Sequence, residues 1–235
     1  MAATVVSVVD LTPMAQRSEH ASPLQARKQD LVRQAIWDAA VDLFARTGFE
    51  ETTTDEIART AGVSPRTFFR YFSSKSDLMA QGMVTYRALL THAIRSAPDA
   101  LGPIQVVRHT ARQVAVEAAS HPRTRKLVRI ASTSAAAREA QLSRRGEVEN
   151  GIAQEFAVKC RTARGDDMTA RLLAALTLTV IDVTFREWAK HADWDIGALT
   201  DDVLVRLTAL LADRPPTPRG KRTAKRGRIS KRVAT

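Results

Sequence analysis

The chain has 235 residues, 44% of them hydrophobic, and a formal net charge of +11; that length supports one large helical domain or a small head on a larger body, with no room for a third. Nine basic and no acidic residues fall between Arg214 and Thr235, so only +2 remains for everything before them and the basic character belongs to a tail. A single cysteine, Cys160, excludes an internal disulfide framework and a multi-cysteine metal site, and suits a reducing cytoplasm.

Residues 1–22 mix Thr, Ser, Pro and scattered charge without helical periodicity, which predicts a flexible arm in which Met14 is an alternative start. The valines at 5, 6, 8 and 9 lack a basic flank and run into Asp10, so they do not make a signal peptide. Ser22-Pro23 supplies an N-cap and a first-turn proline, and Ile36, Ala40, Leu43 and Phe44 then recur at helical spacing up to Gly48.

Thr53 with Glu56 three residues on reads as a capping box for a short helix that stops at Gly62. Ser64-Pro65 opens another, through Phe72, and Ser74 with Asp77 opens a longer one to about Ser96. Two short helices about a glycine turn make a helix-turn-helix.

Pro98, Gly102 and Pro103 then break the chain before a helix from Ile104 to Ser120. Further helical stretches are expected at 123–131, 134–161, 167–191 and 196–213, and no alternating β-branched run argues for a sheet. The expected fold is all-α with about nine helices. The expected division is an arm at 1–22, a head at 23–80, a larger helical part at 81–213 and a disordered basic tail at 214–235.

On the helix from Pro65, Phe68 and Phe72 share one side, where Val63 joins them against Ile57 and the first helix. Arg66 and Arg70 lie on the opposite side with Thr67 and Tyr71 beside them, and no acidic residue occurs between Pro65 and Ser76. That face suits a polyanion. An α-helix fits the DNA major groove, where an arginine forms two hydrogen bonds to guanine, whereas hydroxyls and lysines hold phosphates. Arg66 and Arg70 are the base-reading candidates; the bland alternative is a solvated helix face.

The strings Thr54-Asp55-Glu56-Ile57-Ala58, Ala61-Gly62-Val63-Ser64, Thr67-Phe68-Phe69-Arg70-Tyr71-Phe72 and Lys75-Ser76-Asp77-Leu78 resemble the DNA-binding domain of TetR/AcrR-family regulators, over about residues 27–80. The resemblance implies that Thr53 or Thr54, Thr67, Tyr71 and Lys75 contact phosphates, while Pro65, Arg66, Phe69 and Arg70 face bases. Phe69 stands where the family often has tyrosine, so it either meets a thymine methyl or packs. The Thr-Phe-Phe-Arg-Tyr-Phe run is similar to mycofactocin-system regulators, without the Pro-Trp-Gly that often follows the lysine there.

Beyond residue 80 the resemblance is architectural. Asp182 is the only charge between Leu172 and Phe185, so that helix needs cover on more than one side. Ile196, Leu199, Val203, Leu207 and Leu210 form a stripe on the last helix. In the resembling fold these two helices make a four-helix dimer interface; closing the monomer core is the alternative. His109, Arg112, Gln113 and Val116 are candidate pocket residues on a central helix, with Arg112 or His109 facing an anionic headgroup, and solvent exposure is the alternative.

Cys160 beside Lys159 and Arg161 is either a redox thiol of lowered pKa or a small buried hydrophobe. The histidines at 20, 92, 109, 121 and 191 have no metal-ligand spacing, and no metal or cofactor is expected. The uncharged run Leu172–Ile181 is about half of the ~20 residues that span a bilayer, so no membrane partner is expected. No phosphate loop, triad or carboxylate pair marks an enzyme. The expected function is a cytoplasmic homodimeric repressor, released from a palindromic double-stranded operator by a small-molecule effector. The alternative is an architectural protein coating DNA through its basic tail.

Overall fold

The structure is a computed structural model that describes residues 23–161, 167–191 and 193–213, with residues 23, 84, 85 and 167 described by their backbone alone. The expected arm and basic tail lie outside the described residues. Among these residues the fold is all-α, in ten helices: α1 (Pro23–Thr47), α2 (Thr54–Thr60), α3 (Pro65–Tyr71), α4 (Lys75–Ser96), α5 (Pro103–Ser120), α6 (Pro122–Thr133), α7 (Ala135–Leu142), α8 (Arg145–Lys159), α9 (Asp167–Lys190) and α10 (Ile196–Leu211).

Local chemistry sets the boundaries of the first four. Gly48 and Gly62 take φ of 101° and 68°, which side-chain-bearing residues rarely adopt, and so end α1 and α2. Thr53, Ser64 and Ser74 cap α2, α3 and α4 through side-chain oxygens that accept the N–H groups of Glu56, Thr67 and Asp77. One aromatic core unites these helices. Trp37, Phe44, Phe49, Phe68 and Phe72 pack with Ile36, Ile57 and Leu78, and Ile130, Ala137 and Ala140 from α6 and α7 complete the cluster. The core therefore crosses the division expected at residue 80.

The remaining helices form a bundle in which α4, α5, α8 and α9 bury Leu90, Ile94, Val107, Val114, Ile152, Phe156, Ala174 and Ile181. The helix expected over 134–161 is instead two, α7 and α8, parted at Ser143 and Arg144. The Ser143 hydroxyl donates to the Ala140 carbonyl at 2.7 Å, and Gly146 weakens helix propagation just beyond. Arg144, at the break, reaches Asp77 at the start of α4.

The α10 stripe also needs revision. Ile196 and Leu199 are buried against Ala115 and Trp188, and Val203 and Leu207 pack on the bundle, so the stripe closes this chain's own core. Leu210 is left exposed, as are Leu172 on α9 and Val205 on α10. By length and composition α9 is apolar enough to cross a membrane, with a mean hydropathy of 1.5 over its most apolar 18-residue window within Met168–Lys190, and half of that window is buried inside the structure. Its apolar character is that of a core helix.

Candidate nucleic-acid interface

The free face of α3 is built by its buried face. Phe68 is fully buried and Phe72 nearly so, their ring centroids 6.0 Å apart, which fixes the rotation of a helix only seven residues long. That rotation leaves Pro65, Arg66, Phe69 and Arg70 exposed together. The Arg66 guanidinium makes no ion pair or hydrogen bond among the described residues. Arg70 lies 5.1 Å from the centroid of the Tyr71 ring. Phe69 is 53% exposed and sets its ring edge-on to Phe68 at 5.3 Å, so it packs with one edge and offers the rest outward.

The hydroxyl candidates separate into engaged and free groups. Thr53 spends its hydroxyl on the capping box: it accepts the Glu56 N–H at 3.2 Å and donates to the Glu56 carboxylate at 3.0 Å. This bonding holds the Glu56 carboxyl below the ordinary range. Thr54, one residue on, has no such engagement and is the freer donor at this helix end. The Thr67 hydroxyl sits 2.9 Å from that of Ser64. Tyr71 is half-buried with the Arg33 guanidinium 5.4 Å from its ring centroid. Arg33 also stands 5.6 Å from the Phe72 ring, and its stacking role had no signal in the sequence, because the contact joins α1 to α3.

Lys75 is engaged within the head itself. Its ammonium donates to the carbonyls of Phe49, Glu50 and Thr52 at 2.7, 2.7 and 3.1 Å, and stands 4.8 Å from the Phe49 ring centroid. An ammonium has three donors, and all three are committed. Lys75 is a clamp between the start of α4 and the α1–α2 loop, with nothing left for a phosphate.

Below the head lies a cavity of about 140 Å³ between α1, α4, α5, α6, α7, α8 and α9. Trp37, Met79, Met83, Leu178, Ile181 and Phe185 supply its apolar wall. None of the four pocket candidates reaches it. Arg112 pairs with Asp201 of α10 at 2.8 Å, Gln113 accepts from Ser96 at 3.2 Å, Val116 is exposed, and His109 has a buried Nε2 without a partner. They occupy sides of α5 turned to α4, α10 and solvent, whereas Ala118, further along α5, lines the cavity.

Cys160 offers no reactive thiolate. Burial pushes its thiol up, and Lys159, which opposes that shift, has its own ammonium bound to Asp99 at 2.6 Å.

Polar contacts join the cavity walls to the head. Arg123 and Lys126 of α6 pair with Asp38 and Asp42 of α1, each at 2.7 Å. Ser134, the cap of α7, donates to Glu50 in the α1–α2 loop at 2.5 Å and holds that carboxyl below the ordinary range. Trp37 spans both regions: it is buried in the head core and lines the cavity, where a Cβ on Gly82 of α4 would come within 3.0 Å of its ring.

Residues 36–81 match the family model described as bacterial regulatory proteins, tetR family. The transcriptional regulator TcmR of Streptomyces glaucescens is 28% identical over 199 residues, covering 80% of this chain and 87% of that protein. MftR of Mycobacterium tuberculosis, named for regulation of mycofactocin biosynthesis, is 39% identical over 64 residues, covering 27% and 32% of the two chains. Among solved structures, NalD, the secondary repressor of the MexAB-OprM multidrug efflux pump in Pseudomonas aeruginosa, superposes with a TM-score of 0.55 at 20% identity, over 75% of this chain and 93% of that one.

Proposed function

We propose that this chain is a transcriptional regulator of the TetR type, a homodimeric repressor of a palindromic operator, with residues 23–80 binding DNA and 81–213 binding an effector and the partner subunit; the match of residues 36–81 to the tetR family model and the likeness to TcmR support the reading. The observation that carries the reading is the exposed α3 face, where Arg66, Phe69 and Arg70 are presented side by side with no acidic residue near them in sequence. In a major groove Arg66 and Arg70 read base edges, Phe69 meets a thymine methyl, and Thr54, Thr67 and Tyr71 hold phosphates. Thr53 supports them by capping α2.

A single seven-residue helix reads too few bases for an operator, so two copies are required, one helical turn of DNA apart. Leu172 on α9 and Val205 and Leu210 on α10 are large exposed apolar side chains on the two last helices, and a second copy gives them cover. The effector enters the cavity under the head. Any ligand that pushes α6 from Trp37 also pulls the Arg123–Asp38 and Lys126–Asp42 pairs, which changes the seating of α1 and the spacing of the two α3 helices.

Selection of bound duplexes from a random pool, at physiological salt, tests the reading. A palindrome with half-sites one turn apart is the expected result. Enrichment without any motif would instead favour an architectural protein using the basic segment 214–235, which lies outside the described residues.

A further inference from the structure

We propose that the cavity takes a small amphipathic carboxylate, with a single ring or short alkyl chain against its apolar wall and one carboxylate held by Arg145 and Arg138. This rests on the reading of the cavity as the effector site. The volume of about 140 Å³ is close to that of an engineered apolar cavity of roughly 150 Å³ that admits benzene, and below the ~300 Å³ at which drug-sized ligands begin to fit. The body of the ligand is therefore about one ring in size.

The charge of the lining is lopsided. Three guanidiniums, those of Arg138, Arg145 and Arg186, and one carboxylate, that of Asp182, border the cavity. Arg186 is neutralised by Asp182 at 2.7 Å. Arg138 and Arg145 make no ion pair among the described residues, whereas the adjacent Arg144 reaches both Asp77 and Glu147. Arg138 is exposed and Arg145 half-buried, so both guanidiniums are open to an anion entering the cavity, and arginine binds a carboxylate through two parallel hydrogen bonds.

Tyr86 narrows the choice further. Its ring lines the cavity, and burial together with the Asp182 charge pushes its hydroxyl far above the ordinary range, so it remains a neutral donor beside Arg145. A cationic ligand meets the two free guanidiniums.

Benzoate, benzamide and benzamidinium share one shape and differ in charge, so calorimetric titration of the full chain with each is the test. Benzoate is expected to bind at least tenfold more tightly than benzamide, with benzamidinium weakest. In the double variant Arg138→Gln with Arg145→Gln, benzoate affinity should fall to that of benzamide, while benzamide affinity stays put and reports an intact cavity. Equal binding of benzoate and benzamide overturns the proposal, as does a benzoate preference that survives the double variant or a failure of all three to bind. The effector reading fails separately: benzoate that binds with this arginine dependence, yet leaves operator affinity unchanged, marks a carboxylate site that does not regulate.

Discussion

The head and the bundle below it use opposite packing strategies. The head core is a set of interlocking aromatics, Trp37, Phe44, Phe49, Phe68 and Phe72, held between three side-chain helix caps and a lysine clamp. The bundle core is mostly Ala, Val, Leu and Ile, and it encloses a cavity. Large rigid rings fix one orientation of a short helix, which reading DNA requires. Small aliphatic side chains on long helices impose no such fixed orientation, which suits the effector binding proposed for the cavity. Trp37 belongs to both and is the point where a change in one is felt by the other.

The contrast is broken most severely at Phe68. Phe68→Ala should destabilise the head by about 3–5 kcal/mol through the cavity it leaves, and abolish DNA binding. Urea denaturation of the full chain measures the loss; a stable variant that still selects its operator would mean that the aromatic core does not orient α3. Lys75→Met should come next, at about 1.5–3 kcal/mol, because three carbonyls lose a charged donor. The same variant separates the clamp from a phosphate contact, since the slope of log affinity against log salt should stay unchanged; a slope shallower by nearly one unit would restore the phosphate role.

Arg66→Ala and Arg70→Ala leave folding intact and sharpen the comparison at the level of sequence reading. Each should cost about 1–3 kcal/mol against particular operator positions and little against others. Titrations on single-base variants decide it: uniform losses across all variants would make both arginines phosphate contacts. The smallest expected effect is on the bundle. Ala131→Leu fills part of the cavity, and should raise stability by about 0.5–2 kcal/mol while abolishing the response to effector and sparing operator affinity. Thermal denaturation and effector-dependent DNA release report the two halves of that outcome.

The caps of the head were legible because they are written in four consecutive residues: Thr53 to Glu56, Ser64 to Thr67, Ser74 to Asp77. The exposed side of α3 was equally legible from the spacing of Phe68 and Phe72. The clamp made by Lys75 was not legible, because its partners lie 23 to 26 positions upstream, where no spacing rule reaches. The candidate pocket residues on α5 lie away from the cavity for a related reason. Helical periodicity tells which residues share a side, and Arg112 does lie opposite the core, but which neighbour covers that side is a matter of packing, and Asp201 of α10 took it.

The sequence by itself determined the all-α class, the starts and stops of the first four helices and the face that α3 turns outward, since each follows from backbone caps and side-chain period within a few residues. Only the tertiary structure decided the cavity, whose walls run from Trp37 to Arg186, the arginines left unpaired at its edge, and the ion pairs that tie α6 to α1. Local hydrogen bonding is a property of neighbours in the chain. A cavity is a property of what seven helices fail to fill, and no single one of them encodes it.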